Sequence, residues 1–181
     1  MGKWFVVFVK AGTEDAVVKH LLRHLEGGRY LPFVLTKEVL HRVGGSNQAT
    51  FKKPLFPGYV IVSTENSPDE VLDDFAKIIF GNIHRILNRG NDKKDIMLHE
   101  SEQSRWESLV DSDFCINIST GVLDGKKVIV THGPLVGKED QIVKLNKYKQ
   151  KAILKVEFAG EMVDMSFVLR IQKGSQVNHD Q

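Results

Sequence analysis

Lys144, Lys147, Lys149 and Lys151 alternate with Val143, Leu145, Tyr148, Ala152 and Ile153 near the C-terminus. On a strand and its approach this spacing buries one set and projects the other as a basic stripe. Ammonium groups in such a row suit phosphate charge, and Tyr148 suits stacking on an unpaired base. His132, Asn146 and Tyr148 add the hydrogen-bonding and aromatic groups that selectivity among bases requires. The same spacing equally suits a solvated face. A second basic group brackets a Gly-rich tip, with His41 and Arg42 before it and Lys52 and Lys53 after it. Loop charges of this kind are also commonly just solvated.

Catalytic chemistry finds no comparable set. Cys115 lacks a placed base, the carboxylates fall on helix starts, and there is neither a Gly-rich phosphate loop nor a G-x-S-x-G elbow. His20 and His24 are spaced i, i+4 on one helix but lack the Glu of a zincin motif, which favours two surface histidines over a metal site. We therefore expect no enzyme, no metal and no cofactor.

Composition narrows the class. With 41% hydrophobic and 27% charged residues in 181, the chain is ordinary for a globular protein and long enough for two small domains. No apolar run reaches the 18 residues that a membrane span needs, and no signal peptide is read ahead of Trp4. One cysteine cannot make an internal disulfide, so the expected compartment is the cytoplasm. The net charge of +2 hides an asymmetry. Residues 1–119 carry 15 Lys and Arg against 16 Asp and Glu, hence −1, whereas 120–173 carry 10 against 6, hence +4. A local basic excess attracts phosphate backbones.

These groups must be positioned by a mixed set of elements. Trp4 to Val9 reads as a strand buried on both faces. Thr13 is placed to cap a helix with Glu14 and Asp15 in its first turn and Val17, Leu21 and Leu25 on one side, ended by Gly27-Gly28. Phe33 to Val43 reads as one strand running to the tip Gly44-Gly45-Ser46-Asn47, and Phe51 to Pro54 leads into a second at Gly58 to Ser63. Pro68-Asp69-Glu70 opens a helix with Val71, Leu72, Phe75, Ile78 and Ile79 inward. A strand at Ile83 to Leu87 and a helix at Ser101 to Val110, with Trp106 and Leu109 on one side, complete the first part. Asp111 to Thr120 reads as a linker whose Phe114, Ile116 and Ile118 can dock onto either side. Beyond it come a strand, Lys126 to Val130, a turn, Gly133-Pro134-Leu135-Val136-Gly137, and the lysine-rich segment. The expected division is 1–112, a linker 113–119, a second domain 120–173 and a polar tail 174–181. The class is α+β, an antiparallel sheet flanked by helices followed by a segment of short β-strands.

Two motifs carry a resemblance. In Leu55-Phe56-Pro57-Gly58-Tyr59-Val60 the Pro-Gly pair sets a bend into the strand that either leaves Phe56 and Tyr59 on display or is a turn with core aromatics, the commoner case in an arbitrary protein. Gly133 to Glu139 matches the turn of a KOW module. In this order and separation they resemble the NusG family of transcription elongation factors, whose N-terminal domain (NGN) precedes an SH3-like KOW barrel. The resemblance implies that Trp4, Phe5, Phe56, Pro57 and Tyr59 contact RNA polymerase and favour processive elongation or antitermination. It implies a KOW partner that is a nascent RNA hairpin, a ribosomal protein or a termination factor. The hairpin end near Arg42 and Lys52 would reach upstream DNA. The short segment between Gly27 and Pro32, and Pro134-Leu135-Val136 where general factors carry Pro-Phe, look like a specialised paralogue similar to LoaP-type antiterminators. The alternative is a ribosome- or translation-associated RNA-binding protein using its KOW module alone.

Overall fold

The computed structural model describes residues 2–44, 48–78, 81–88, 90, 92–125 and 127–172, without the side chains of Arg42, Lys93 and Lys94. The expectations placed on Gly45-Ser46-Asn47, Ile79, Lys126, the tail 174–181 and the Arg42 side chain lie outside the described residues. In chain order the elements are β1 (Lys3–Val9), α1 (Glu14–His24), β2 (Tyr30–Phe33), β3 (Thr36–Arg42), β4 (Gln48–Pro54), β5 (Tyr59–Thr64), α2 (Pro68–Ala76), β6 (Ile83–Ile86), α3 (Glu100–Glu107), β7 (Cys115–Ile116), β8 (Ser119–Asp124), β9 (Lys127–His132), β10 (Ile142–Asn146), β11 (Lys151–Phe158) and β12 (Glu161–Gln172). They form two compact units whose limits do not follow the chain. The first holds residues 1–36, 54–115 and 157–161, and the second holds 37–53, 116–156 and 162–181.

In the first unit an antiparallel sheet has the order β2-β5-β1-β6. β1 is central and covered on both sides, which its uninterrupted apolar sequence requires. Phe5, Val7 and Val9 pack with Val17 and Leu21 of α1, Val60 and Val62 of β5 and Val71 of α2. Thr13 occupies the N-cap position of α1, but its hydroxyl donates to the Lys10 carbonyl at 2.7 Å instead of capping the helix. α2 has the reciprocal cap, Ser67 with Glu70, which the sequence reading missed.

The single strand expected from Phe33 to Val43 is two strands. β2 starts earlier and pairs with β5 in spite of Pro32, because it is an edge strand and the missing N–H costs no ladder bond. At the break, Leu55 N–H donates to the Leu35 carbonyl at 2.7 Å. β4 is a full strand with nearly every residue exposed, so it lacks the alternation that announces strands. The expected linker is partly built in: Phe114 stacks on Phe33 at 3.6 Å in the first unit, and Cys115 and Ile116 form β7.

In the second unit a five-stranded sheet has the order β10-β11-β12-β8-β9, with β12 parallel to β8 and the pairs β8-β9 and β10-β11 antiparallel. Leu154, Val156, Phe167, Leu169, Val130 and Leu135 are buried in it. The Gly133–Gly137 turn forms where the sequence places it. Gly133 has φ +95°, and a Cβ there would lie 2.7 Å from Ser119 Cα, so no other residue fits. β3 and β4 form a hairpin in a separate sheet with β7 beside β3.

Candidate functional site

The bend before β5 is held by a buried carboxylate. Gly58 has φ +87°, and its N–H donates to Glu14 Oε1 at 2.6 Å. Burial pushes the Glu14 carboxyl up, but backbone N–H groups of Gly58, Glu14 and Gly12 together prevail and hold it below its usual value. The bend brings Tyr59 opposite Phe8, with ring centroids 5.4 Å apart, and His84 lies 5.1 Å from Phe8 on the other side. Phe8, Phe56 and Tyr59 are half-buried and Pro57 is exposed.

Two of the expected contact residues are elsewhere. Trp4 and Phe5 are both fully buried, because β1 is the covered centre of its sheet. Trp4 meets Phe33 and Phe114 edge-on, and Phe5 meets Phe75. Neither is on display, and a partner cannot touch them in this arrangement.

Phe56 is not held outward either. Its ring stacks on Phe158 with centroids 3.6 Å apart and planes at 10°, while Trp106 meets it edge-on at 5.4 Å. Phe158 also meets Tyr59 edge-on at 5.5 Å. Residues 157–161 are anchored within the first unit. Trp106 Nε1–H donates to the Glu157 carbonyl at 3.1 Å, Arg105 lies 3.8 Å from the Glu157 carboxylate, and the Ala159 N–H donates to buried Glu102. The sequence reading missed Phe8, Trp106 and Phe158 as members of this cluster. The register Phe8 opposite Tyr59 was open to strand pairing, but the approach of Phe158, a hundred residues beyond Phe56, left no local signal.

The lysine stripe is a hairpin, not one strand. Lys144 and Asn146 are on β10, Lys147, Tyr148 and Lys149 are in the turn, and Lys151 opens β11. Tyr148 is 87% exposed. Asn146 Oδ1 accepts from the Lys149 N–H at 2.8 Å, so this side chain shapes the turn. His132 closes β9, at the opposite edge of the sheet order from β10, and its Nδ1 lies 3.2 Å from Thr131 Oγ1. Lys149 and Lys151 instead share a cleft of about 270 Å³ in the second unit with Lys37, Glu38, His41, Phe51 and Lys53. Lys52 is exposed on β4.

Among the described residues no three His, Cys, Asp or Glu side chains are grouped to hold a metal ion, and no helix is long and apolar enough to cross a membrane. His20 and His24 stack on each other at 4.0 Å.

The family model described as "Transcription termination factor nusG" matches residues 2–106. No curated protein matches the sequence. The chain is similar to a solved structure described as "Domain interaction in Thermotoga maritima NusG", with a TM-score of 0.48, 17% identity and 93% of each chain covered. The family match covers more than half of the chain and runs from the residue before β1 into α3, taking in the whole β2-β5-β1-β6 sheet and the Phe56-Pro57-Gly58 bend. The chain belongs to the NusG family.

Proposed function

We propose that the chain is a transcription elongation and antitermination factor that binds RNA polymerase through Phe56, Pro57, Tyr59 and the adjoining Phe8. The observation that carries the reading is the aromatic group at the Pro57-Gly58 bend, within the stretch that matches the family. Grouped aromatic rings at a rigid bend suit a hydrophobic anchor on a partner. Binding would shift polymerase towards its processive state, so the protein acts by biasing a conformational equilibrium and not by chemistry. Trp4 and Phe5 support the surface from within the core.

The five-stranded sheet and its tight Gly133–Gly137 turn support a KOW module, which recruits an RNA hairpin, a ribosomal protein or a termination factor. The lysine-rich β10–β11 hairpin favours RNA, as in a LoaP-like paralogue acting on selected operons in the cytoplasm. Capture of purified RNA polymerase by the intact chain tests the reading. Tyr59→Ala and Pro57→Ala are expected to weaken capture without unfolding the protein, and capture unchanged by both overturns the surface. The stacking of Phe158 on Phe56 favours a second reading, a ribosome-associated RNA-binding protein, because there Phe56 needs no free face. Failure to capture polymerase with retained RNA binding would select it.

A further inference from the structure

Lys37 is a buried cation, and among the described residues no carboxylate forms an ion pair with it. It is 7% exposed, and its Nζ donates to the Ser166 carbonyl at 2.8 Å, lies 3.3 Å from Met165 Sδ and sits 5.6 Å from the Phe167 ring centre. These neighbours are neutral. Glu38 also lines the cleft and keeps its charge there, while its Oε2 accepts from the Ile118 N–H at 2.7 Å. Lys53, Lys149 and Lys151 line the same cleft, and among the described residues no carboxylate pairs with them. Four lysines against the one carboxylate of Glu38 leave the cleft net positive, and burial of the Lys37 ammonium is unfavourable unless it is compensated. An anion in the cleft offsets both together. At its rim Phe51 is 45% exposed, with His41 edge-on to it at 5.7 Å. An exposed ring beside a lysine-lined cleft is the arrangement that holds an unpaired base next to its phosphate.

We propose that the cleft of Lys37, Lys53, Lys149 and Lys151 binds a backbone phosphate of single-stranded nucleic acid, with Phe51 stacking on the adjoining base. The inference rests on the nucleic-acid reading of the lysine-rich hairpin but relocates its centre. The sequence separates Lys37 and Lys53 from Lys149 and Lys151 by about a hundred positions, and only the fold brings them together. Lys144, Lys147 and Tyr148 do not line the cleft.

Anisotropy titrations of labelled 12-nucleotide oligouridine and oligothymidine against the intact chain at several salt concentrations test this. Lys53→Gln is expected to lower the slope of log affinity against log salt by about one, as the loss of one phosphate contact does. Phe51→Ala is expected to weaken binding about tenfold. Lys37→Met is expected to weaken binding too, and if it fails to fold, exposed Lys53 and Phe51 keep the test open. Lys127→Gln, exposed on β9 outside the cleft, is expected to change nothing. A preference for oligouridine supports RNA as the source of the phosphate, and a preference for oligothymidine supports DNA. Loss confined to Lys144→Gln and Lys147→Gln overturns the cleft while leaving the stripe as an RNA site. A response to Lys127→Gln as large as that to Lys53→Gln, equal binding of polyglutamate, or no binding of either oligonucleotide overturns the proposal.

Discussion

The ring of Phe56 lies flat against that of Phe158, 3.6 Å between centroids and 10° from parallel. One face of Phe56 is thereby used within the first unit, and a partner that stacks on that face must take the place of Phe158. Truncating either ring costs up to about 3 kcal/mol, the lower end for a buried Phe, but the two truncations have opposite effects on binding. Phe56→Ala is expected to weaken capture of RNA polymerase, and Phe158→Ala is expected to strengthen it. Surface-immobilised polymerase with both variants, below their melting temperatures, reads the difference. If Phe158→Ala weakens capture, Phe158 belongs to the contact instead of competing with it.

The Glu14 carboxylate fixes the bend through the Gly58 N–H at 2.6 Å, a charge-assisted bond inside the fold. Glu14→Gln is expected to cost about 1–2 kcal/mol. Gly58→Ala is expected to cost more than about 1 kcal/mol, since φ +87° strains any L residue and its Cβ would lie 3.3 Å from the Val9 carbonyl. Because the folded Glu14 pKa is lowered, its contribution is full above the ordinary carboxylate pKa and is lost as pH falls through the folded value. Urea midpoints measured down through the acid range should therefore fall less steeply in Glu14→Gln than in the wild type.

Tyr30 donates its hydroxyl proton to Asp74 at 2.7 Å and accepts from Asn66 Nδ2–H at 2.7 Å, tying β2 to α2. Burial, then the bond to Asp74, pushes the phenol up to about 12. The fold holds Tyr30 neutral while the unfolded chain ionises from about pH 10, so this contribution is complete below pH 10 and lost between 10 and 12. Tyr30→Phe is expected to cost about 1 kcal/mol at neutral pH. In melts across this alkaline range it should lack the decline that the wild type shows; an equal decline in both would place the cause elsewhere.

The parts of the fold legible in the sequence are those where a local pattern matches a local need. β1 is continuously apolar because both of its faces are covered, and Gly133 stands where a Cβ cannot fit. β4 was missed as a complete strand because almost none of it is buried, and β2 was misplaced because Pro32 argues against a strand anywhere except at an edge. The aromatic site was legible in kind but not in exposure. Trp4 and Phe5 share the residue type of a docking surface, but the continuous apolar run from Trp4 to Val9 already pointed to a strand covered on both faces, and the central position of β1 places them in the core. Phe158 over Phe56, and Lys37 beside Lys151, are long-range pairings that no window along the chain contains.

Lys37 makes the basic cleft sensitive to pH in a defined direction. Burial, then the charges of Lys53 and Lys151, pushes its amine down to about 8 from the usual 10.5. The unfolded chain thus holds this proton over a range where the fold has released it, and the charged form is a burden on the fold below about pH 8. Stability is expected to rise as pH climbs from about 8 towards 10, before the opposing loss at Tyr30 begins. Glu38, His41, Lys53, Lys149 and Lys151 also face the cleft, so the assignment to Lys37 needs the variant. Lys37→Met should flatten the rise between pH 8 and 10 and leave the later decline in place. Saturating inorganic phosphate should act in the same sense on the wild type, because an anion beside the amine restores its preference for the proton. Guanidinium unfolding followed by tryptophan fluorescence at closely spaced pH values checks both. A rise of equal size in Lys37→Met would remove Lys37 as its origin.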